Sequence, residues 1–162
     1  MPLVLLPISL PDLEALAAGT FLPGPSVVQD EALPPKHVAV RALRLMAAGA
    51  PQEWCGTFLM TLQPQYVIVG SCGFKGPPIG GRVEVGYGVA PEARNQGHAS
   101  AAVQALLGLA FGSGQVSEVL AEIAPANLAS ARVAAKLGFI AGGTRVDEDG
   151  EAVVQWVARN CA

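Results

Sequence analysis

The sequence predicts a mixed α/β fold: a largely antiparallel central sheet with helices on both faces, built as one domain over residues 1–162. Three observations carry this. Strand-like runs alternate with helical patterns in the middle of the chain, which calls for crossover helices. Early and late in the chain, neighbouring strand-like runs have no helix between them, which calls for antiparallel pairs. A chain of 162 residues that is 51% hydrophobic and only 14% charged can bury roughly 70% of its unfolded surface around one core. The same balance excludes disorder, which needs little apolar content and much charge.

The elements follow in order. Leu3 to Ile8 is a short apolar run and the first expected strand. Ser9 can cap the next helix, Pro11 fits its first turn, and Asp12 holds the capping-box position. Leu13, Leu16 and Ala17 recur at helical spacing until Gly19 ends the helix. Phe21 to Pro35 carries five proline or glycine breakers (Pro23, Gly24, Pro25, Pro34 and Pro35) and reads as a loop. Pro35 opens a second helix holding Val38, Val40, Leu43, Leu45 and Met46, which Gly49 and Pro51 stop. Glu53 to Leu62 and Tyr66 to Phe74 read as antiparallel strands joined at Gln63-Pro64-Gln65. Cys55 and Cys72 then fall on paired strands as small buried hydrophobes.

After a Gly/Pro loop from Lys75 to Gly81, Arg82 to Ala90 is the next strand. Its Gly86 and Gly88 point to a bulge or a close backbone approach. Gly97 to Phe111 is a helix, Ser117 to Ala124 a strand, and Asn127 to Leu137 a helix ended by Gly138. Phe139 to Val146 and Ala152 to Ala158 form a terminal hairpin about Asp149-Gly150, a two-residue turn signal. The order is β-α-α-β-β-β-α-β-α-β-β.

Several function classes fall away. The net charge is −3, and the 10 Lys and Arg form no basic run, so no nucleic-acid partner is expected. An acidic balance suits an amine-bearing partner. No stretch reaches the roughly 18 apolar residues of a membrane span, and the apolar N-terminus, broken by Pro7 and Pro11, lacks the basic start of a signal peptide. Cys55, Cys72 and Cys161 show no ligand spacing and form an odd, sparse set, which suits a reducing cytoplasm. His37 and His98 lack a ligand set, so no metal is expected. There is no strand-to-helix G-x-G-x-x-G, no phosphate-loop G-x-x-x-x-G-K-[ST] and no G-x-S-x-G elbow.

The informative stretch runs from Val83 to Ala99. A strand ends at Ala90-Pro91, a short polar loop follows, and Gly97 opens a helix. Backbone N–H groups at a helix start have no intrahelical acceptor. Gly97 admits a ligand close to the backbone, and Ala99 keeps the next turn small. With the helix dipole, this suits a phosphate or pyrophosphate, and Arg94 adds a positive charge.

Arg94-Asn95-Gln96-Gly97-His98-Ala99 resembles the R/Q-x-x-G-x-G/A acetyl-CoA motif of the GNAT superfamily of N-acetyltransferases. Its context resembles the branch holding the ribosomal-protein N-terminal acetyltransferases. Asn127-Leu-Ala-Ser130, followed by Gly138-Phe139, resembles that branch's second signature. The resemblance implies that Val89 offers backbone groups to the pantetheine arm and the thioester carbonyl. It implies that Arg94, Asn95, Gln96, Gly97, His98 and Ala99 cradle the pyrophosphate, and that Asn127 contacts the pantetheine. Glu84 stands where relatives place a general base, often acting through water. Ser130 stands where many relatives carry a Tyr that protonates the departing thiolate. The base is needed because an alkylammonium, with a pKa of about 10, must lose its proton before it can attack.

Plainer roles fit the same residues. Glu84 can be a strand carboxylate paired with Arg82 or a neighbour, Ser130 a residue of the first helical turn, and Asn127 an N-cap. Tyr87 reads as core or cleft wall, and His98 as a solvated residue near the phosphates. Asn95 and Gln96 are neutral where relatives often carry basic residues, so binding would lean on backbone N–H groups. The expected activity is acetyl transfer from acetyl-CoA to a primary amine, on a protein N-terminus or a small molecule, in a ternary complex. The alternatives are a non-catalytic acyl-CoA-binding or regulatory domain, or a dimer module using the hairpin; a homodimer stays open. In the family the acceptor site lies between the first helices and the terminal hairpin. Asp30, Glu31, Asp147, Glu148, Asp149 and Glu151 would flank it, either drawing in a cationic amine or merely keeping an exposed turn soluble.

Overall fold

The computed structural model describes residues 2–160, so Cys161 lies outside the described residues. β1 (Leu3–Pro7) leads into α1 (Leu10–Ala18), followed by β2 (Val27–Val28), α2 (Lys36–Ala47) and a short α3 (Gln52–Cys55). Then come β3 (Thr57–Leu62), β4 (Val67–Phe74), β5 (Arg82–Val89), α4 (His98–Gly112), β6 (Glu118–Ile123), α5 (Leu128–Lys136), β7 (Ile140–Val146) and β8 (Ala152–Arg159). The sheet has eight strands in the order β1-β3-β4-β5-β6-β8-β7, with β2 alongside β4. Neighbours are antiparallel except β2 with β4 and β5 with β6.

Local chemistry sets the helix ends. The Ser9 hydroxyl accepts the Asp12 N–H at 3.3 Å, and Gly19 closes α1 in the left-handed region at φ 76°. Asn127 caps α5, its side-chain oxygen accepting the Ser130 N–H at 3.2 Å. The layers follow from strand alternation. Val83, Val85, Tyr87 and Val89 pack in one cluster with Val103 and Leu106 of α4 and Ala134 of α5. On the other side, α1 and α2 join through Leu13, Leu16, Ala39 and Ala42 and rest on Leu59. Small residues such as Ala102 and Ala110 let α4 lie close to the sheet.

β5 and β6 hold the site open. They pair only over Arg82–Glu84 against Glu118–Leu120 and then part. From Val85 to Val89, β5 stays bonded to β4 on its other edge. The edge that faced β6 is left without a strand partner.

The structure corrects the sequence reading in three places. Residues 52–55 form a helical turn, not the start of a strand: Pro51 precedes it, and the Trp54 ring packs on Phe74 with centroids 5.0 Å apart. Cys55 is therefore helical, though buried like Cys72. The 21–35 segment gains the two-residue β2, which continues the β4 edge that β5 leaves. The terminal turn is wider than two residues, because the Asp147 carboxylate accepts the N–H groups of Asp149 at 3.0 Å and Glu151 at 2.9 Å. Of the two readings of the β5 glycines, a bulge or a close backbone approach, the unshifted β4–β5 register leaves the close approach, and the Gly88 carbonyl lies where a Gly70 Cβ would be.

That approach is testable at Gly70 on β4, where a Cβ would collide with the Gly88 carbonyl oxygen across the ladder. Gly70→Ala is expected to destabilise the protein by about 1–3 kcal/mol, the usual cost of overpacking. A lower urea midpoint at unchanged slope would report it; an unchanged midpoint would show that the two strands have room.

Candidate functional site

Where β5 leaves β6, the molecule carries a cleft of about 1030 Å³. It runs between the β5 edge and the starts of α4 and α5 on one side, and α2 with the 31–35 segment on the other. Of the residues picked from sequence, Val89, Arg94, Asn95, Gly97, His98, Ala99, Asn127 and Ser130 line it; Glu84 and Gln96 do not.

The start of α4 presents backbone donors that the helix itself does not use. Asn95 and Gly97 both take left-handed backbone, at φ 62° and 82°, a conformation that Asn tolerates and Gly adopts freely. Gly97 is the N-cap and has no side chain to close the helix. The first intrahelical bond to it comes from the Ala101 N–H, at 3.0 Å. The N–H groups of His98, Ala99 and Ser100 are therefore left to a ligand. Nothing lies within 4 Å of the position a Gly97 Cβ would take. Gln96 turns away, its amide donating to the Glu92 carbonyl at 3.2 Å. The buried His98 Nε2 has no hydrogen-bond partner among the described residues, and burial lowers the imidazole pKa. His98 is thus a neutral, partly desolvated group rather than a solvated one.

The start of α5 lines the cleft beside α4. The Ser130 N–H is held by Asn127, and its carbonyl accepts the Tyr87 hydroxyl at 3.2 Å. That bond ties β5 to α5 across the cleft. The Ser130 hydroxyl has no hydrogen-bond partner among the described residues. Burial pushes the Tyr87 phenol up, which keeps it protonated and able to donate. Arg132 and Lys136, one helical turn apart on α5, add positive charge to the lining. Their i, i+4 spacing was visible in the sequence, but nothing there tied it to this cleft.

Glu84 is the last β5 residue paired with β6, at the point of the fork. Its carboxylate meets Lys75 Nζ at 2.7 Å. The Arg82 expected as its partner instead bonds Glu118, at 2.8 Å. Lys75 lines the cleft and Glu84 lies behind it. Of the six carboxylates near the first helices and the terminal turn, only Glu31 lines the cleft.

Among the described residues, no group of three His, Cys, Asp or Glu side chains could hold a metal, and no helix is long and apolar enough to cross a membrane. The donor set fits a long, anionic thioester ligand such as acetyl-CoA. The free N–H groups and Arg94, Arg132 and Lys136 suit its phosphates, and the open β5 edge suits an amide-bearing arm.

The comparisons with known proteins agree. The acetyltransferase (GNAT) domain model matches residues 3–140. This chain belongs to the GNAT acetyltransferase family. The uncharacterized N-acetyltransferase YjdG of Bacillus subtilis (strain 168) is 33% identical over 85 residues, which are 52% of this chain and 51% of that protein. The chain thus matches about half the length of this curated relative. The ribosomal-protein-S5-alanine acetyltransferase of Vibrio fischeri superposes with a TM-score of 0.70 at 17% identity, covering 99% of this chain and 94% of that one. The aminoglycoside acetyltransferase AAC(6')-Ib in complex with coenzyme A gives 0.68 at 18%, covering 98% and 95%. These two share the GNAT fold with this chain, and their names carry different acceptors, so the fold does not fix the acceptor. GNAT acetyltransferases use acetyl-CoA.

One cleft residue bears on how such a fold could work here. Cys72 on β4 lines the cleft, and burial pushes its thiol up to about 12. A thiol held so far up stays protonated at pH 8, which argues against Cys72 as an acetyl-carrying nucleophile. Folded protein treated with iodoacetamide at pH 8 should show Cys72 unlabelled by peptide mass mapping, with labelling only after denaturation. Fast labelling of the folded chain would put a reactive thiolate in the cleft.

Proposed function

We propose that the protein is an acetyl-CoA-dependent N-acetyltransferase that passes the acetyl group directly to a primary amine. The observation that carries this reading is that the uncapped start of α4 and the unpaired edge of β5 open onto one cleft, beside a second set of polar groups for an acceptor. Acetyl-CoA supplies an acetyl group activated as a thioester: a C–N bond forms, the C–S bond breaks, and CoA leaves as a thiol once it regains a proton.

The chain's own residues would divide the work. The N–H groups of His98, Ala99 and Ser100, with Arg94, hold the phosphates, and Asn95 shapes that turn. Val89, on the open edge, offers its backbone N–H and carbonyl to the arm and the thioester oxygen. Asn127 orders the start of α5, and its side-chain N–H₂ remains available to the arm. Ser130 presents its free hydroxyl where a departing thiolate takes its proton. Glu84, which does not itself line the cleft and is paired with Lys75, accepts the amine proton through water. The Glu84–Lys75 pair also supports a second reading, an acyl-CoA-binding domain without turnover, in which Glu84 only anchors Lys75.

Calorimetry with acetyl-CoA, together with an assay for free CoA on adding mixed amines, separates these readings. Binding with amine-dependent CoA release is expected; binding without release under any amine would leave a binding domain. Gly97→Val is expected to weaken acetyl-CoA at least tenfold, about 1.4 kcal/mol, because a β-branched residue is strained at φ 82° and fills the approach. An unchanged Kd in a folded variant would remove the loop from the site. Glu84→Gln should lower turnover with little change in acetyl-CoA affinity. Its deficit should shrink at high pH, where the amine is already deprotonated. A pH–rate profile matching the parent in shape and height would take Glu84 out of the chemistry.

A further inference from the structure

The wall of the cleft facing away from α4 and α5 carries charge that the acetyl donor does not explain. Arg41 of α2 lines it, half-buried. It makes no hydrogen bond and no ion pair among the described residues. Its charged neighbours, Glu84, Glu148 and Arg44, act on it only at a distance, and burial is the main influence lowering its pKa. A guanidinium stays charged in any protein environment and has five donors in a planar fork. Leaving such a group partly desolvated and unpaired is costly.

Lys75 lies on the same wall. Its stem crosses β5 over Gly86, where a Cβ would sit 3.1 Å from Lys75 Cε, and its ammonium reaches Glu84 at 2.7 Å. Lys75 is thus fixed at the cleft floor with donors beyond the one Glu84 takes. The carboxylate on this wall is Glu31, exposed, in the segment before α2. One exposed carboxylate against a half-buried guanidinium and an anchored ammonium does not make a polycation site. Glu84 is already taken by Lys75 and Glu148 does not line the cleft, which leaves Glu31 fit to face an ammonium and Arg41 fit to face an anion.

We propose that the acceptor is a primary amine that also bears a carboxylate, and that Arg41 binds that carboxylate. This rests on the acetyl-transfer reading of the same cleft and names its substrate class. The carboxylate comes either from a free amino acid or from an acidic residue next to a peptide N-terminus. A bidentate guanidinium–carboxylate pair would fix the acceptor's orientation and so aim its amine. Polyamines and aminoglycosides, which lack an anion, would leave Arg41 unpaired and are poor acceptors here.

The test uses matched pairs: free amino acids against their carboxamides, and Ser-Glu against Ser-Gln peptide amides, with spermidine as the polycation. kcat/KM for the carboxylate member of a pair should exceed its partner's at least tenfold, with spermidine below both. Arg41→Gln should bring that ratio to within about threefold and leave the Kd for acetyl-CoA unchanged. Direct binding of N-acetyl amino acids and their amides, followed by calorimetry, gives a readout that needs no turnover. The N-acetyl amino acids should bind tighter to the parent protein than to Arg41→Gln, and their amides equally to both. CoA release with no carboxylate preference, or with a preference that survives Arg41→Gln, overturns the anion site and leaves acetyl transfer standing. Arg41-dependent carboxylate binding without CoA release for any amine overturns acetyl transfer and keeps the anion site.

Discussion

The site depends on a bond pattern that stops. β5 and β6 share a ladder for Arg82–Glu84 and then separate, while β5 continues along β4 to Val89. Backbone donors and acceptors on the open edge must find water or a ligand, because buried, unpaired main-chain groups are costly. A sheet interior is thereby turned into a binding surface. Since so short a ladder joins the two halves of the sheet, other contacts share the task. α4 and α5 pack across the junction. Arg82, Glu118 and Arg159 line up across three adjacent strands at the base of the fork, with Glu118 bonded on both sides.

Charge is sorted along the opening. The wall near α4 and α5 carries Arg94, Arg132 and Lys136 beside free helix N–H groups, and the α2 wall carries Arg41 and Lys75. Much of the protein's acidic charge sits elsewhere, in roles the structure makes visible. Asp147 shapes the terminal turn through two backbone bonds. Glu122 bonds Arg145 and Gln155, tying β6, β7 and β8 together, and the Arg145 guanidinium holds its carboxyl below the usual range. A net charge of −3 therefore says little about the cleft, whose charged lining residues are mostly cationic. Counting carboxylates near an expected entrance missed this, because a turn-forming or strand-tying carboxylate no longer faces a ligand.

The helix caps, most of the element order and the glycine turn before α4 could be read from the sequence because each rests on residues close together in the chain. Ser9 with Asp12, Gly19, Asn127 with Ser130, and Gly97 at a helix start each act within one turn. The two-motif pattern from Arg94 to Phe139 pointed to the GNAT family, which the domain match over residues 3–140 establishes. The helical turn at 52–55 escaped because Trp54 is drawn inward by Phe74, twenty residues on.

By itself, then, the sequence determined most of the elements, the caps of α1 and α5, and the resemblance that led to the family. Only the tertiary structure decided what shares a wall. Glu84, beside Arg82 in the chain, pairs with Lys75 across the β4–β5 turn, and Arg82 goes to Glu118 on β6. Arg41, one of several charges on an exposed-looking helix, becomes a half-buried cation of the cleft with no ion pair among the described residues. The physical reason is range. A cap or a turn is fixed by neighbours along the backbone, whereas a charge's partner is set by which strands lie side by side and by how much water the packing leaves around it.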